Sequence, residues 1–363
     1  MAKSVLGALN PRMVADQMTL QGFFPNGTAT LSTTGSGGRF DNGRVFTTGT
    51  SAGDMTVFPW GTGSNNYVDT GDIGTNYTTG AVTCSVAASA GGVGNWYLAV
   101  GDTGVGAQLT FHINFATKVL NVYRGTSTGT ALYSSVSAPL LSNVALTHNT
   151  VAVGWKIDPT AGFVYFRING TAYVTASGTD NTRNTANTRW NRLNIAGSNS
   201  GTTLTDHVVV WDLDTDAAST LPVDARIALG VPTGDNSVQM TPNSGSDNWS
   251  RVDDVPYDTD STYVSSATVG HKDIYDISST WVPNNTTSIY YVAVATTFRK
   301  DDAATREARG LVKSGSSTTN GATVLMLSSY AMQVDEFPND PATGSAWGLS
   351  ALQAAKPGVE IIT

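Results

Sequence analysis

The sequence has little of what disulfide-bonded, membrane-spanning or metal-binding proteins need. Its 363 residues include one cysteine, three glutamates, four histidines and seven lysines, and only 13% are charged. A single cysteine, Cys84, excludes an internal disulfide framework. No apolar run approaches the roughly 20 residues of a membrane helix, and the start has no apolar segment of the length that a secretory signal needs. We therefore expect a protein made in a cytoplasm, with no membrane insertion.

What is abundant instead is threonine, serine, valine, asparagine and glycine, with 38 glycines in all. β-Branched residues favour strands, and glycine, asparagine and aspartate favour turns. The composition predicts an all-β protein. The formal net charge of −8 disfavours a nucleic-acid partner, since such surfaces gain affinity from clustered cations. The nearest cluster, with Arg183, Arg189 and Arg192, is either a small basic patch or a solvated loop.

Short strands bounded by glycine, asparagine or aspartate run from Tyr67 to Asp214. The clearest are at 150–177, where a turn at 158–162 and the Asn169-Gly170 pair separate three strands. Asn-Gly is a strong hairpin signal because a type I′ turn needs positive φ at both central residues. A further strand follows at 207–214. This order resembles the concanavalin A-like (laminin-G-like) jelly roll, which implies a sandwich over residues 23–214 behind an N-terminal arm at 1–22.

The sequence pattern changes after Asp214, and a second β-sandwich domain is expected over 215–363. The pattern predicts short strands at DARIALG, SVQMTP, TYVSS, KDIYDIS, SIYYVAVATTFRK, REARGLVKSG, ATVLMLSS and AMQVDEF. One short helix is predicted at 349–356, capped by Thr343 or Ser345 and stopped by Pro357-Gly358. A last strand is predicted at 358–363.

This second part has a resemblance of its own. The succession NWSRVDDVPYDTDSTYV, KDIY, TREARGLVKSG, DPATGSAW and GVE resembles a domain of tailed-bacteriophage structural proteins, over Asp224 to Glu360. The resemblance implies a virion component assembled in the host cytoplasm, in the form of a tail part, a fibre or a capsid decoration subunit. It implies contacts with other virion proteins and with further copies of the chain, in a homo-trimer.

The stretch 248–266, NWSRVDDVPYDTDSTYVSS, raises the question of a site, because it holds Asp253, Asp254, Asp258 and Asp260. It does not match a helix–loop–helix calcium loop, which needs glycine at its sixth position and glutamate at its twelfth. Two alternatives remain: a non-standard calcium site, or a connector whose carboxylates accept backbone N–H groups. The connector is favoured, with Trp249 and Tyr263 anchoring its ends on the core.

No other pattern predicts chemistry. Jelly-roll glycosidases place glutamates along one strand, but residues 23–214 contain none. Asp212, Asp214 and Asp216 could replace them, but the favoured explanation for these aspartates is a solvated strand end. The histidines, at 112, 148, 207 and 271, do not have metal-ligand spacing, and Cys84 is the single cysteine of the sequence. We therefore assign no catalytic, cofactor or metal residue.

Exposed aromatic rings are the remaining candidates. Trp60, Trp96, Trp190 and Trp249 stand next to turn residues, where they would be either sugar-binding platforms or buried parts of the sandwich. The sequence thus predicts a non-enzymatic virion structural protein. The alternatives are a receptor-recognition protein that binds a host-surface glycan and, less favoured, a polysaccharide depolymerase.

Overall fold

A computed structural model of the chain contains two compact units, Met1–Ile227 and Ala228–Thr363. The predicted boundary between 214 and 215 lies outside the described residues. The structure describes residues 4–9, 26–27, 30–32, 45–48, 67–69, 76–88, 94–103, 105–144, 147–175, 178–198, 203–212, 227–254, 258–290 and 292–363. None of the helices in those ranges has the length and hydropathy required to cross a bilayer.

The first unit is a sandwich of two antiparallel sheets. Its strands are β1 (Ser4–Leu9), β2 (Asn26–Gly27), β3 (Thr30–Ser32), β4 (Val45–Thr48), β5 (Tyr67–Asp69), β6 (Thr79–Ala88), β7 (Asn95–Asp102), β8 (Gly106–Asn114), β9 (Val119–Arg124), β10 (Thr130–Ser137), β11 (Asn149–Lys156), β12 (Phe163–Ile168), β13 (Thr171–Val174), β14 (Arg192–Ser198) and β15 (Thr203–Asp212).

Strand order makes this unit a jelly roll. One sheet has the order β13-β12-β11-β6-β15-β4-β3, and β1 also pairs with β15. The other has the order β10-β9-β8-β7-β14-β5-β2. Strand β1 lies within the segment expected to be an arm, so part of that segment belongs to the first sheet.

Side chains alternate across each strand, and one set from each sheet forms the core. On β7 the inward residues are Trp96, Leu98 and Val100, and all three are fully buried. The predicted Asn169-Gly170 turn is present, with φ of 48° and 84°. The predicted turn at 158–162 is also present, because the Asp158 carboxylate accepts the N–H groups of Thr160 and Ala161 at 2.9 and 2.8 Å.

The second unit is built on a six-stranded sheet. Its strands are β16 (Pro232–Ser237), β17 (Thr241–Pro242), β18 (Val264–Ser265), β19 (Lys272–Ile277), β20 (Ala293–Phe298), β21 (Glu307–Ser314), β22 (Ser317–Asn320), β23 (Val324–Leu325), β24 (Ala331–Glu336) and β25 (Lys356–Ile361), with one helix, α1 (Leu349–Gln353), before β25. The large sheet has the order β16-β19-β25-β21-β22, and β23 also pairs with β21.

Two smaller antiparallel pairs, β17-β18 and β20-β24, complete the second unit. The β20-β24 pair contacts one face of the large sheet, where Asp335 Oδ2 on β24 accepts the Gly310 N–H of β21 at 3.1 Å. The predicted all-β class with one short helix is confirmed. The strand predicted at 224–230 is wrong for residues 227–230, which have no regular structure.

The helix is shorter than predicted, and its predicted ends are wrong. Its N-cap is Gly348, without a side-chain hydrogen bond, so neither Thr343 nor Ser345 caps it. Pro357 and Gly358 do not stop the helix but lie inside β25. A side chain at Gly358 would overlap the Asp273 carbonyl oxygen and lie 2.8 Å from Leu311 Cδ1. Glycine at this position is therefore required by packing within the sheet.

We expect Gly358→Ala to destabilise the second unit by about 2 kcal/mol, because the added methyl group meets backbone that cannot move aside. Urea unfolding followed by tryptophan fluorescence would measure the loss. Gly234→Ala is the matched control, since its methyl group would make an ordinary contact at 3.5 Å with Asp276 Cβ. Equal stability of the two variants would contradict this account.

Candidate functional site

Residues 258–262 of the acid-rich stretch form a turn held by Thr262. Thr262 donates its N–H to Asp258 Oδ1 at 3.1 Å and its hydroxyl to Asp254 Oδ2 at 2.6 Å. Asp260 Oδ1 pairs with Arg299 Nη2 at 2.6 Å and accepts the Tyr330 hydroxyl at 2.8 Å. Within the described residues, no three histidine, cysteine, aspartate or glutamate side chains form a metal-ligand group. The carboxylates engage hydroxyl, guanidinium and backbone donors, as expected of a connector.

The start of this stretch is fixed by two aspartates outside it. Asp235 accepts the N–H groups of Asn248 and Trp249 at 3.0 and 2.7 Å. Trp249 is half-buried, whereas Tyr263 is 39% exposed, so the prediction that Tyr263 anchors the far end on the core is wrong. The Tyr263 backbone does hold that end, since its carbonyl accepts the Asn243 N–H at 2.9 Å.

The second of these aspartates, Asp273, is fully buried and accepts four hydrogen bonds. The donors are the N–H groups of Gln239 and Met240, the Asn248 amide and the Tyr275 hydroxyl, at 2.7 to 2.9 Å. Burial, followed by the adjacent carboxylate, raises the pKa of Tyr275. Sequence reasoning noticed the KDIY motif but missed this role. The sequence feature that could have revealed this role is the two-residue spacing of Asp273 and Tyr275. That spacing puts both side chains on one face of β19.

The candidate catalytic aspartates of the jelly roll are mostly not described. Asp212 ends β15, and nothing is described of its side chain, while Asp214 and Asp216 lie outside the described residues. The interpretation of these aspartates as a solvated strand end therefore stays a prediction.

Of the two alternatives for the four tryptophans, a place inside the sandwich is confirmed for Trp96 and Trp190. Trp96 and Trp190 are both 0% exposed, and Trp60 lies outside the described residues. The Trp96 indole donates to Thr205 Oγ1 at 3.2 Å, and the Trp190 indole donates to the Thr79 carbonyl at 2.8 Å. Both rings are internal to the sandwich, where their N–H groups have partners, so a ligand cannot reach them.

The loop that carries Arg183 and Arg189 covers one end of the jelly-roll sheet that contains β7 and β8. Arg189 Nε lies 3.0 Å from the fully buried Asp102 carboxylate, which also accepts the Asn187 amide. The buried Gln108 side chain accepts the Asn184 N–H at 2.8 Å and donates to the Asn187 carbonyl at 2.8 Å. The loop is thus fixed to the sheet, and Arg189 is engaged within the chain.

Three rings form a row on the outward face of that sheet. Tyr97 on β7 stacks on His112 of β8 with centroids 4.5 Å apart and planes 9° apart. His112 in turn lies 6.4 Å from Tyr123 on β9. Tyr97 and His112 are buried, and Tyr123 is half-buried. The row is therefore covered at Tyr97 and His112 and reaches solvent at Tyr123.

The protonation state of His112 follows from its neighbours. The Ser135 N–H donates to Asn121 Oδ1 at 2.8 Å, which leaves the Asn121 amide nitrogen to donate to His112 Nδ1 at 3.0 Å. His112 Nε2 therefore carries the proton and donates it to Asn95 Oδ1 at 3.0 Å. Burial lowers the pKa of His112 from 6.5 to about 4. Both ring nitrogens are engaged, so this imidazole is arranged as a structural group.

Two of the other histidines also have hydrogen-bond partners within the chain. His148 Nδ1 lies 3.0 Å from Ser85 Oγ, and His271 Nδ1 lies 2.9 Å from Ser266 Oγ. The side chain of His207 is outside the described part, and Cys84 is buried.

With this geometry in hand, the chain can be compared with known proteins. No family model and no curated protein sequence matches it. Solved structures with a similar fold include an alginate lyase from a Chlorella virus, at 11% identity and a TM-score of 0.40, covering 58% of this chain and 100% of the lyase. A carbohydrate-binding module from Bacillus subtilis matches at 10% identity and 0.31, covering 57% and 94%.

A further match is a Bacillus subtilis protein of galectin-like fold, at 11% identity and a TM-score of 0.36, covering 58% of this chain and 96% of that protein. These similar structures are sandwiches of the galectin and concanavalin-like type and include both enzymes and binding modules. At such scores, none of them carries an argument about what this chain does.

We expect the low pKa of His112 to make the first unit less stable in acid. The unfolded chain takes up a proton near pH 6.5 and the folded one only near pH 4, so stability is complete above pH 6.5 and falls as the pH drops toward 4. The difference between these two pKa values corresponds to roughly 3 kcal/mol in the free energy of unfolding. Urea unfolding of wild type and His112→Gln between pH 7 and 4 would show a steeper acid loss in wild type. Identical slopes would contradict this assignment.

Proposed function

We propose that this protein is a non-enzymatic structural component of a tailed-phage virion. It acts by self-association, as a homo-trimer, and by docking onto neighbouring virion proteins. Its place is the virion, as a tail part, a fibre or a decoration subunit, after assembly in the host cytoplasm.

The observation that carries this proposal is how the buried carboxylates are used. Asp273, Asp335 and Asp340 are each less than 5% exposed, and each accepts backbone N–H groups that hold a loop or a neighbouring strand. Groups committed in this way stabilise a backbone and are not free to exchange protons with a substrate. Buried carboxylates that accept hydrogen bonds from the protein's own backbone fit a structural role better than a catalytic one.

The resemblance of residues 224–360 to phage structural proteins supports the proposal that this protein is part of a virion. The motif NWSRVDD has a structural explanation in this chain, because Asn248 and Trp249 are the residues that Asp235 and Asp273 hold. KDIY supplies Asp273 and Tyr275. These motifs therefore maintain the fold of the second unit, which is what a shared structural domain would require.

Immunogold labelling of purified phage particles with antibody against this chain would test the proposal. We expect label at one defined position on each particle, since a structural component has a fixed place and copy number. Particles without label would contradict the proposal. So would sustained release of reducing sugar from polysaccharide by the pure protein, which would indicate a depolymerase.

Carbohydrate recognition is a second candidate, favoured by the ring row of Tyr97, His112 and Tyr123. Aromatic rings bind the apolar faces of sugars, and asparagine amides beside them can bind hydroxyl groups. Tyr123 is the member of the row that solvent can reach. A host-surface glycan would then be the ligand, and the protein would serve receptor recognition on the tail.

A glycan array would test this candidate. We expect selective binding by wild type that falls at least tenfold in Tyr123→Ala, because the exposed end of the row is removed. Tyr290→Ala is the control, since Tyr290 lies in the second unit and is 47% exposed. Absence of binding by wild type, or equal loss in both variants, would contradict the candidate.

A further inference from the structure

Strand β20 of the second unit has one paired side and one open side. Among the strands that the structure describes, β24 is the one that pairs with β20. The Phe337 N–H donates to the Val292 carbonyl at 2.8 Å, and hydrogen-bonded positions alternate along an antiparallel pair. The positions between them, Ala293, Ala295 and Thr297, therefore direct their N–H and C=O groups away from β24. We call this row of backbone groups the β20 edge.

The β20 edge is open within one copy of the chain. Ala295, at its centre, is exposed, and Ala293 and Thr297 are half-buried. In the described part of the chain, none of these three residues has a backbone hydrogen bond on this side. The side chains of Val294 and Phe298 point the other way, where each packs with a hydrophobic cluster of the unit. A further strand can therefore reach the edge without displacing core residues.

The β20 edge lacks the features that keep an edge strand from pairing with another chain. Such features are charges, proline, bulges and short length. β20 has six residues, AVATTF, without charge or proline, and its register with β24 is unbroken. The other described edge strands are protected. Register shifts interrupt β1, β10, β13 and β16, Asp335 and Glu336 lie on β24, and β2, β3, β17, β18, β22 and β23 have four residues or fewer.

We propose that two copies of the chain associate by pairing their β20 edges antiparallel, about a two-fold axis at Ala295. In this register, Ala293 of each copy lies opposite Thr297 of the other, and Ala295 lies opposite its own counterpart. Each of these three pairs exchanges two N–H···O=C bonds, which gives about six hydrogen bonds in all. The register uses every residue of the edge, and it joins the β20-β24 pairs of the two copies into one continuous sheet.

The sequence around β20 favours a reversed second copy as the occupant. An added strand must be extended, uncharged and open at one edge, and β20 is the strand among those described that meets all three conditions over six residues. Continued past the strand ends, the register sets Lys300 opposite Tyr290, which is 47% exposed. A cation beside an aromatic ring is favourable. A parallel arrangement would instead set Arg299 and Lys300 beside the same cations of the other copy, which is destabilising.

The contact is small, and main-chain hydrogen bonds supply most of its affinity. Six residues at about 3.3 Å each make a strand about 20 Å long, so edge pairing buries less surface than a standard interface. We therefore expect weak association. The inference rests on the self-association in the proposed function, and adds which strand is used and in what symmetry. Such a contact joins copies in pairs, alone or between larger assemblies.

Sedimentation velocity of the full chain over a concentration series would test the inference. We expect wild type to self-associate at high micromolar concentration. Ala295→Lys and Ala295→Glu should each weaken that association about tenfold or more, because the two-fold axis sets each introduced charge opposite an identical one. Ala186→Lys and Ala186→Glu make the same changes at an exposed alanine of the first unit. They are the matched controls and should leave association unchanged.

The decisive step is a mixture of the two variants at position 295. In a mixed pair, the cation introduced in one copy would meet the carboxylate introduced in the other, so association should return to at least the wild-type level. Amide hydrogen exchange gives a second readout. The N–H groups of Ala293 and Thr297 should exchange more slowly in associated wild type than in either variant alone. Thermal unfolding of each variant would show that it is folded.

Several results would overturn the inference: a wild type that does not associate, single variants that associate normally, or a mixture that stays apart. Equal loss in the Ala186 variants would also overturn it, since the effect would then follow net charge. So would associated wild type in which Ala293 and Thr297 exchange as fast as in the variants, because another surface would then be in use. These outcomes are separate from the proposed function. Immunogold label on particles alongside association that the Ala295 variants leave unaffected would reject this contact and leave the virion role standing.

Discussion

The packing of Trp190 against Trp155 is the contact on which the jelly roll depends. Their rings meet edge to face at 5.2 Å, and Phe111 of the opposite sheet lies 5.9 Å from Trp155. Gly80 makes this possible, since a side chain there would lie 2.5 Å from the Trp190 ring and 2.8 Å from that of Trp155. Three large rings thus join the two sheets over one glycine. Because protein cores are closely packed, these contacts leave no room for a larger residue at position 80 and hold the two sheets together at this point.

A second constraint is the shortage of long charged side chains. With three glutamates and seven lysines, the chain uses short carboxylates to satisfy backbone N–H groups where loops meet strands. Asp335 illustrates the consequence, because it joins β24 to Gly310 of β21 and to Ala322 at 3.1 and 2.8 Å. A buried carboxylate in this role is stabilising only while its donors stay in place. Acidic residues that look like a reactive cluster in the sequence are, in the second unit, largely part of the scaffold.

The sequence was informative where local chemistry decides the structure and uninformative where tertiary contacts decide. The Asn169-Gly170 turn could be predicted because its positive φ angles are a local requirement. The burial of Trp190 was only one of two alternatives, since a tryptophan beside turn residues has the same local pattern whether it is exposed or internal. Pro357 and Gly358 usually end helices, but in this chain the close approach of Leu311 places both inside a strand. His112 was considered in the sequence only as a possible metal ligand, because its hydrogen-bond partners, Asn95 and Asn121, come from two other strands.

Those partners link the ring row to the edge of its sheet. Asn121 on β9 bonds both His112 and the Ser135 N–H of β10, where Ser135 has a φ of 55° and the strand register shifts. The irregular edge strand is therefore held by the same amide that fixes the imidazole. Irregularities of this kind discourage pairing of an exposed edge with another chain. The amide that orients the ring row thus also supports an edge whose irregularity disfavours addition of a strand from another chain.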